Sequence, residues 1–292
     1  MKTLIGKNDY LFLQNDSNKE LEIHINNLCL VREDFHKQLE KYIHKYLLIV
    51  FPDKSLIHKE YLPEGFEVKY RPGLDKYKNY LKDHILDLYS YLKHEDSYYK
   101  TDTHMNLNGA CISYGVVLEK IKELFDFDVE KRVNIRMEKK ECVLKELHLA
   151  LGDLTLEMNL GDQTLNNISD TYYYSEDVKG ILYLYSLNEN DKKISIVDYD
   201  LNDCTHLFIG NVIDWNVISN YIIYSNNEEV KEKKKILIFY DSFLLSSLSL
   251  WMQTFNEIFF VKNEFSPELI EKINPDYIFE FRVERFLGGI RL

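Results

Sequence analysis

Two uninterrupted apolar runs set the limits on this fold. One is Tyr46-Leu47-Leu48-Ile49-Val50-Phe51, stopped by Pro52-Asp53; the other is Ile236-Leu237-Ile238-Phe239-Tyr240, stopped by Asp241-Ser242. A strand with one wet face alternates apolar and polar residues, so a strand without alternation has both faces covered. Such strands belong to parallel sheets sandwiched between helices. Each run is therefore expected in the middle layer of an α/β fold. The carboxyl end of each should open where folds of this class place their chemistry.

The flanking segments fit that scheme. Residues 31–45 put Phe35, Leu39, Tyr42 and Ile43 at helical spacing, and residues 74–94 form a second amphipathic helical region. Asn106 or Asn108 can cap a long helix running to about Phe125. In the last third, a strand at 234–240 precedes a helix over roughly 243–255, then a strand at 257–262. Ser266-Pro267-Glu268 starts another helix, with Pro at the first helical position, and Tyr277–Phe281 reads as a strand. Between about 126 and 230 the texture changes, with segments such as Val133–Met137 and Gly180–Tyr185 reading as strands and hairpins. The expectation is one three-layer α/β domain over residues 1–292, its sheet mostly parallel. A β-rich insertion or subdomain occupies about 126–230.

Composition narrows the partners. Acidic residues outnumber basic ones, 48 against 36, for a net charge of -12, which disfavours nucleic acid or an anionic membrane. The one basic cluster, Glu228–Lys235, mixes signs and reads as a solvated strand entry. Cys29, Cys111, Cys142 and Cys204 are scattered without a C-x-x-C, so reduced thiols are expected and no metal site. No stretch approaches about 18 apolar residues, and the first residues lack an apolar signal core. The chain as given is expected in the cytoplasm, or outside it had a leader been removed.

Asp102-Thr103-His104 and Asp241-Ser242-Phe243 carry the chemistry. A serine hydroxyl needs a base to take its proton, and that base needs a third group to orient it and balance its charge. Side chains two apart in an extended or turn conformation project to one side, so Asp102 can reach the His104 imidazole. Ser242 at a helix start would place main-chain N–H groups around an oxyanion. Read singly, Asp-Ser is also a helix cap, Asp-x-His a packed or surface pair, and a metal site lacks a third ligand. Tyr98, Tyr99 and Tyr240 are the candidate substrate-contacting rings, and Tyr172–Tyr174 could also face a sugar; core packing is the competing role.

In order along the chain come Gly6-Lys7-Asn8-Asp9-Tyr10-Leu11-Phe12, Pro52-Asp53-Lys54, Tyr61-Leu62-Pro63 and Tyr98-Tyr99-Lys100-Thr101-Asp102-Thr103-His104. Asn108-Gly109-Ala110, Gly152-Asp153-Leu154, Asp241-Ser242-Phe243 and Val283-Glu284-Arg285-Phe286-Leu287 complete the set. This order resembles the SGNH-hydrolase-like proteins of alginate O-acetylation and their relatives in capsule and exopolysaccharide modification. The chain departs from that pattern in having Met105 for a Trp and Tyr240 for a Gly. The resemblance implies an SGNH α/β/α fold, with Ser242 as nucleophile, His104 as base and Asp102 as the orienting acid. It also implies acetyl transfer to a hydroxyl of a bacterial surface glycan.

Three functions follow, in order of expectation. The first is an O-acetyltransferase working through an acyl-serine on a glycan or nucleotide-sugar acceptor, in association with other glycan-synthesis proteins. The second is an esterase of the same fold. The third is a non-catalytic glycan-binding relative. No bound cofactor is expected; an acetyl donor is required, and acetyl-CoA is the accessible one in a cytoplasm, although no Gly-rich phosphate cradle is visible.

Overall fold

The computed structural model describes residues 2–14, 19–32, 34–127, 129, 138–143, 169–174, 179–186, 193–200 and 221–289. The strands are β1 (Lys2–Ile5), β2 (Leu11–Gln14), β3 (Tyr46–Phe51), β4 (Ile85–Asp87), β5 (Glu138–Val143) and β6 (Ser169–Tyr174). They continue with β7 (Lys179–Ser186), β8 (Lys193–Asp200), β9 (Tyr221–Asn226), β10 (Lys235–Tyr240), β11 (Glu257–Val261) and β12 (Tyr277–Val283). Among the described residues, eight of these form one sheet in the order β4-β3-β12-β10-β11-β9-β7-β8. The five from β4 to β11 run parallel. The remaining three pair antiparallel and extend one edge. Two antiparallel ribbons, β1–β2 and β5–β6, stand apart from that sheet.

The two apolar runs are β3 and β10, and their neighbours show why neither alternates. Leu47, Ile49 and Phe51 enter a core on one face, whereas Tyr46, Leu48 and Val50 enter a second core on the other. Helix α6 (Leu107–Phe125) covers the first face through Tyr114, Val117, Leu118 and Ile121, joined by α7 (Leu248–Thr254) through Leu250, Trp251 and Met252. The second face is covered by α2 (Phe35–Leu39), α4 (Pro72–Leu81) and α8 (Pro267–Ile273) through Phe35, Leu39, Leu74, Tyr77, Leu81 and Ile270. Each fully buried aliphatic side chain contributes about 1.5–3 kcal/mol, so the central strands hold the three layers together.

Local signals account for several boundaries. Asn106 caps α6, its Oδ1 accepting the Gly109 N–H at 3.0 Å. Ser266 Oγ accepts the Leu269 N–H at 3.3 Å at the start of α8. The helical reading of 31–45 is corrected: only Phe35–Leu39 is α-helical, and a 3-10 turn at Ile43–Lys45 then feeds β3. That of 74–94 is corrected too. Lys82 at φ 51 ends the run after Leu81, and Ile85–Asp87 pairs parallel with β3 before the short helix α5 (Tyr89–Leu92). The first helix, α1 (Glu20–Asn26), follows β2. The expected helix from 243 begins as a 3-10 turn, Ser242–Ser247, with α-helix from Leu248. Gly180–Tyr185 lies within β7, whereas Val133–Met137 and Gly152-Asp153-Leu154 lie outside the described residues. Among the described residues, no helix is long and apolar enough to cross a membrane.

Parallel strands share one carboxyl edge. At that edge the chain leaves β3 into Pro52-Asp53-Lys54, β10 into Asp241-Ser242, and β12 into Glu284-Arg285. The quoted motifs therefore converge because sheet polarity stacks their positions.

Candidate active site

The loop before α6 folds back on itself. Tyr98 and Met105 form an antiparallel bridge, and the Asn106 N–H donates to Ser97 O at 3.0 Å. Gly109 permits this approach, since a Cβ there would lie 2.3 Å from Ser97 O. Within the turn, Asp102 Oδ1 accepts the His104 main-chain N–H at 2.8 Å, a side-chain-to-backbone bond two residues on. The same oxygen lies 2.6 Å from His104 Nδ1. A carboxylate only accepts, so Nδ1 carries the proton and Nε2 presents its lone pair. Asp102 and His104 are 5% and 7% exposed.

Ser242 meets that lone pair: its Oγ lies 2.8 Å from His104 Nε2 and can donate to it. The serine is held by its neighbours. Asp241 Oδ1 accepts the Phe243 N–H at 2.9 Å, and Oδ2 accepts the Val283 N–H at 2.7 Å. Burial raises the Asp241 pKa against the pull of Arg282 and its two N–H donors. The Phe243 ring packs against the His104 imidazole with centroids 4.9 Å apart. Asp102, His104 and Ser242, separated widely in sequence, thus form one hydrogen-bonded line.

Two expectations change here. The main-chain donors expected at a helix start are rearranged, because Ser242 opens a 3-10 turn and the Phe243 N–H is already taken by Asp241. The three tyrosines expected as substrate-contacting rings are buried: Tyr98, Tyr99 and Tyr240 are 2%, 8% and 0% exposed. Tyr98 donates its hydroxyl to Pro52 O at 2.5 Å, and Tyr240 packs edge-on to Phe260. A ring sealed in the core has no free face for a sugar. Met105, standing for the Trp, is also fully buried, and Ser113 Oγ donates to its sulfur at 3.5 Å.

Under the site, Asp53, Lys54, Glu284 and Arg285 come from the motifs, and charged partners that no motif contains, His24, Arg71 and Asp87, join them. Asp53 Oδ2 lies 2.9 Å from His24 Nε2 and accepts the Arg285 N–H at 2.9 Å, and the Arg285 guanidinium also donates to Asp53 Oδ1. Arg71 bridges Asp87 and Glu284. Lys54, 2% exposed, donates to the carbonyls of Leu11, Lys100 and Asp102. A second histidine, His58, is held neutral, its pKa lowered to about 3 by burial and then by the charge of Lys54. Among the described residues, no cluster of His, Cys, Asp and Glu could hold a metal ion. Cys29 and Cys111 are free thiols.

With this geometry established, the chain can be set beside known proteins. The family model described as the SGNH hydrolase-like domain of acetyltransferase AlgX matches residues 3–178, a stretch holding Asp102 and His104 but ending before Ser242. Among solved structures, Bacillus cereus PatB1 superposes with TM-score 0.66 at 15% identity, covering 99% of this chain and 97% of that one. A DHHW family protein from Eubacterium siraeum gives TM-score 0.62 at 14% identity, covering 99% and 96%. The O-acetyltransferase domain of Pseudomonas putida AlgJ gives 0.55 at 12%, covering 100% and 94%. No curated protein matches the chain.

Proposed function

Since the chain belongs to the family of SGNH hydrolase-like domains of the acetyltransferase AlgX, we propose that Ser242 is an acyl-carrying nucleophile in O-acetyl transfer to a glycan hydroxyl. The mixed, mostly parallel sheet is the SGNH hydrolase-like fold. The observation that carries the reading is the continuous line Asp102 Oδ1, His104 Nδ1, His104 Nε2 and Ser242 Oγ, with contacts of 2.6 and 2.8 Å.

In the first half-reaction His104 Nε2 takes the Ser242 proton as Oγ bonds to the acetyl carbonyl. The donor's leaving group then departs with that proton. In the second, an acceptor hydroxyl attacks the acetyl-serine, His104 takes its proton, and Ser242 Oγ leaves and is reprotonated. Asp102 holds the tautomer and stabilises the imidazolium formed in each half. Base assistance of this kind contributes roughly 10²–10⁴-fold. The acceptor we infer is a hydroxyl of a bacterial surface glycan or of its nucleotide-sugar precursor, a reading supported by membership of an acetyltransferase family.

The test uses an aryl acetate as donor and a glycan oligosaccharide as acceptor, with acetyl on protein and glycan followed by mass spectrometry. The wild-type chain should show acetyl on Ser242 and acceptor-dependent transfer, and Ser242→Ala should show neither. Transfer by Ser242→Ala at the wild-type rate would overturn the mechanism. Acetyl-serine consumed equally fast without acceptor would make the protein an esterase.

A further inference from the structure

We propose that Lys54 is a positioning residue for the Asp102–His104 pair, its buried ammonium group fixing the main chain that carries Asp102. The inference rests on the serine mechanism above and assigns a role to a residue remote from the triad in sequence. Lysine is rarely fully buried, because removing an ammonium from water is costly unless its donors are used. An ammonium group has three N–H donors. Lys54 Nζ directs them at Leu11 O, Lys100 O and Asp102 O, at 2.7, 2.6 and 3.0 Å.

Those carbonyls belong to two separate segments. Leu11 opens β2, and Lys100 and Asp102 flank the buried Thr101 in the loop before α6. Lys100 O also accepts the Leu11 N–H at 2.9 Å, so strand and loop are bonded to each other as well as to the lysine. The loop has no regular secondary structure of its own apart from the Tyr98–Met105 bridge. The Asp102 turn orients the carboxylate relative to His104, but it does not fix the pair relative to β10 and Ser242. Lys54 does, because it stands at the start of helix α3 (Lys54–Ile57), directly after β3, on the same sheet edge as Ser242.

The chemistry needs this residue type. Methionine has similar length but no donor, leaving three inward carbonyls without the ammonium. Arginine keeps the charge, but its planar fork cannot converge on three carbonyls as a tetrahedral ammonium does. A displacement of about 1 Å in a reacting group can cost about 10²-fold in rate.

The experiment reads Ser242 itself. Phenylmethylsulfonyl fluoride labels an activated serine: Oγ bonds to sulfur, fluoride leaves, and the serine proton passes to His104. Labelling rates, followed by intact mass, are compared for wild type, Ser242→Ala, Lys54→Met and Lys54→Arg, alongside thermal melts and kcat and KM with an aryl acetate. Lys54→Met should melt cooperatively yet label about 10²-fold more slowly, with kcat falling in proportion and KM little changed. Lys54→Arg should fall between it and wild type. If Lys54→Met does not fold, Lys54→Gln, which retains a donor, takes its place in the comparison. Wild-type labelling by a folded Lys54→Met or Lys54→Gln would overturn the role of Lys54 alone. Unchanged labelling in Ser242→Ala would overturn the serine reading instead.

Discussion

Asp241 Oδ2 accepts the Val283 N–H at 2.7 Å, tying the carboxyl end of β10 to that of β12 one residue before Ser242. The other oxygen takes the Phe243 N–H at 2.9 Å, so one buried side chain satisfies donors on both sides of the serine.

Asp241→Ala removes both acceptors and leaves two buried N–H groups unpaired, at about 1–3 kcal/mol each. Melting temperature should drop by roughly 4–24 °C, taking about 2–4 °C per kcal/mol for a chain of this size. Asp241→Asn keeps one acceptor and should lose about half as much. Activity per folded molecule should fall in both variants, because the serine loses its local frame. A melt of Asp241→Ala matching the wild type would contradict this account.

Asp102→Asn should be milder than the same change at a triad whose acid uses two separate oxygens. Here Oδ1 accepts both His104 N–H groups, the main-chain one at 2.8 Å and Nδ1 at 2.6 Å. An amide oxygen in that place keeps both His104 contacts, and so the turn and the tautomer, while the negative charge opposite the imidazolium is lost. The fall in kcat should be clearly smaller than that of Asp102→Ala, where base assistance worth about 10²–10⁴-fold is lost. Steady-state kinetics on an aryl acetate decides it; equal losses in the two variants would contradict the shared-oxygen argument.

His24 makes the fold sensitive to alkali. Its Nδ1 lies 2.9 Å from Tyr70 O and its Nε2 2.9 Å from Asp53 Oδ2, so both ring nitrogens donate and the ring is cationic. Burial opposes that charge, but the Asp53 hydrogen bond and charge, with Glu284, outweigh it and raise the pKa from 6.5 to about 9. A raised pKa gives stability that is complete below the unfolded value and lost as pH climbs through the folded one. The loss should therefore fall between about pH 6.5 and 9 and approach about 3 kcal/mol. Glu20, raised to about 7 by burial and then by Asp53, adds a fall over the window from 4.5 to 7. Denaturant melts at pH 6 and pH 9.5 should show the alkaline loss in wild type and not in His24→Gln; equal losses would discount His24.

The sequence carried some of this and hid the rest for definite reasons. β3 and β10 were legible because neither alternates, and α6 because Asn106 caps it. The strand β4 was hidden because Leu74, Tyr77, Leu81, Ile85, Leu88 and Leu92 keep helical spacing straight through it. Only pairing with β3 and the positive φ of Lys82 reveal the break, and neither is a periodicity. Ser242, His104 and Asp102 could be named from their motifs, since reactive side chains have distinctive letters. Lys54 could not be given a role, because its partners are main-chain carbonyls that any residue supplies. The tyrosines are ambiguous for a related reason: a ring suited to stacking on a sugar is equally suited to a core.

Tyr240 offers the last test, because its position departs from the glycine of the family pattern. Its backbone does not need glycine: Tyr240 lies in β10, paired with Phe281, and is not among the residues with positive φ. Its side chain points into the core, 0% exposed, and the hydroxyl has no hydrogen-bond partner among the described residues. Burial accordingly raises its pKa well above the usual phenol range. Tyr240→Phe deletes only the unpartnered hydroxyl and should stabilise the chain by about 1 kcal/mol. Tyr240→Gly, which restores the family letter, removes the whole ring and should cost about 3–5 kcal/mol through the cavity left behind. Both should leave the Ser242–His104 contact in place, so activity per folded molecule should hold in Tyr240→Phe. Denaturant midpoints at one pH check the pair; a less stable Tyr240→Phe would mean that the hydroxyl has a partner and is not an unmet cost of the core.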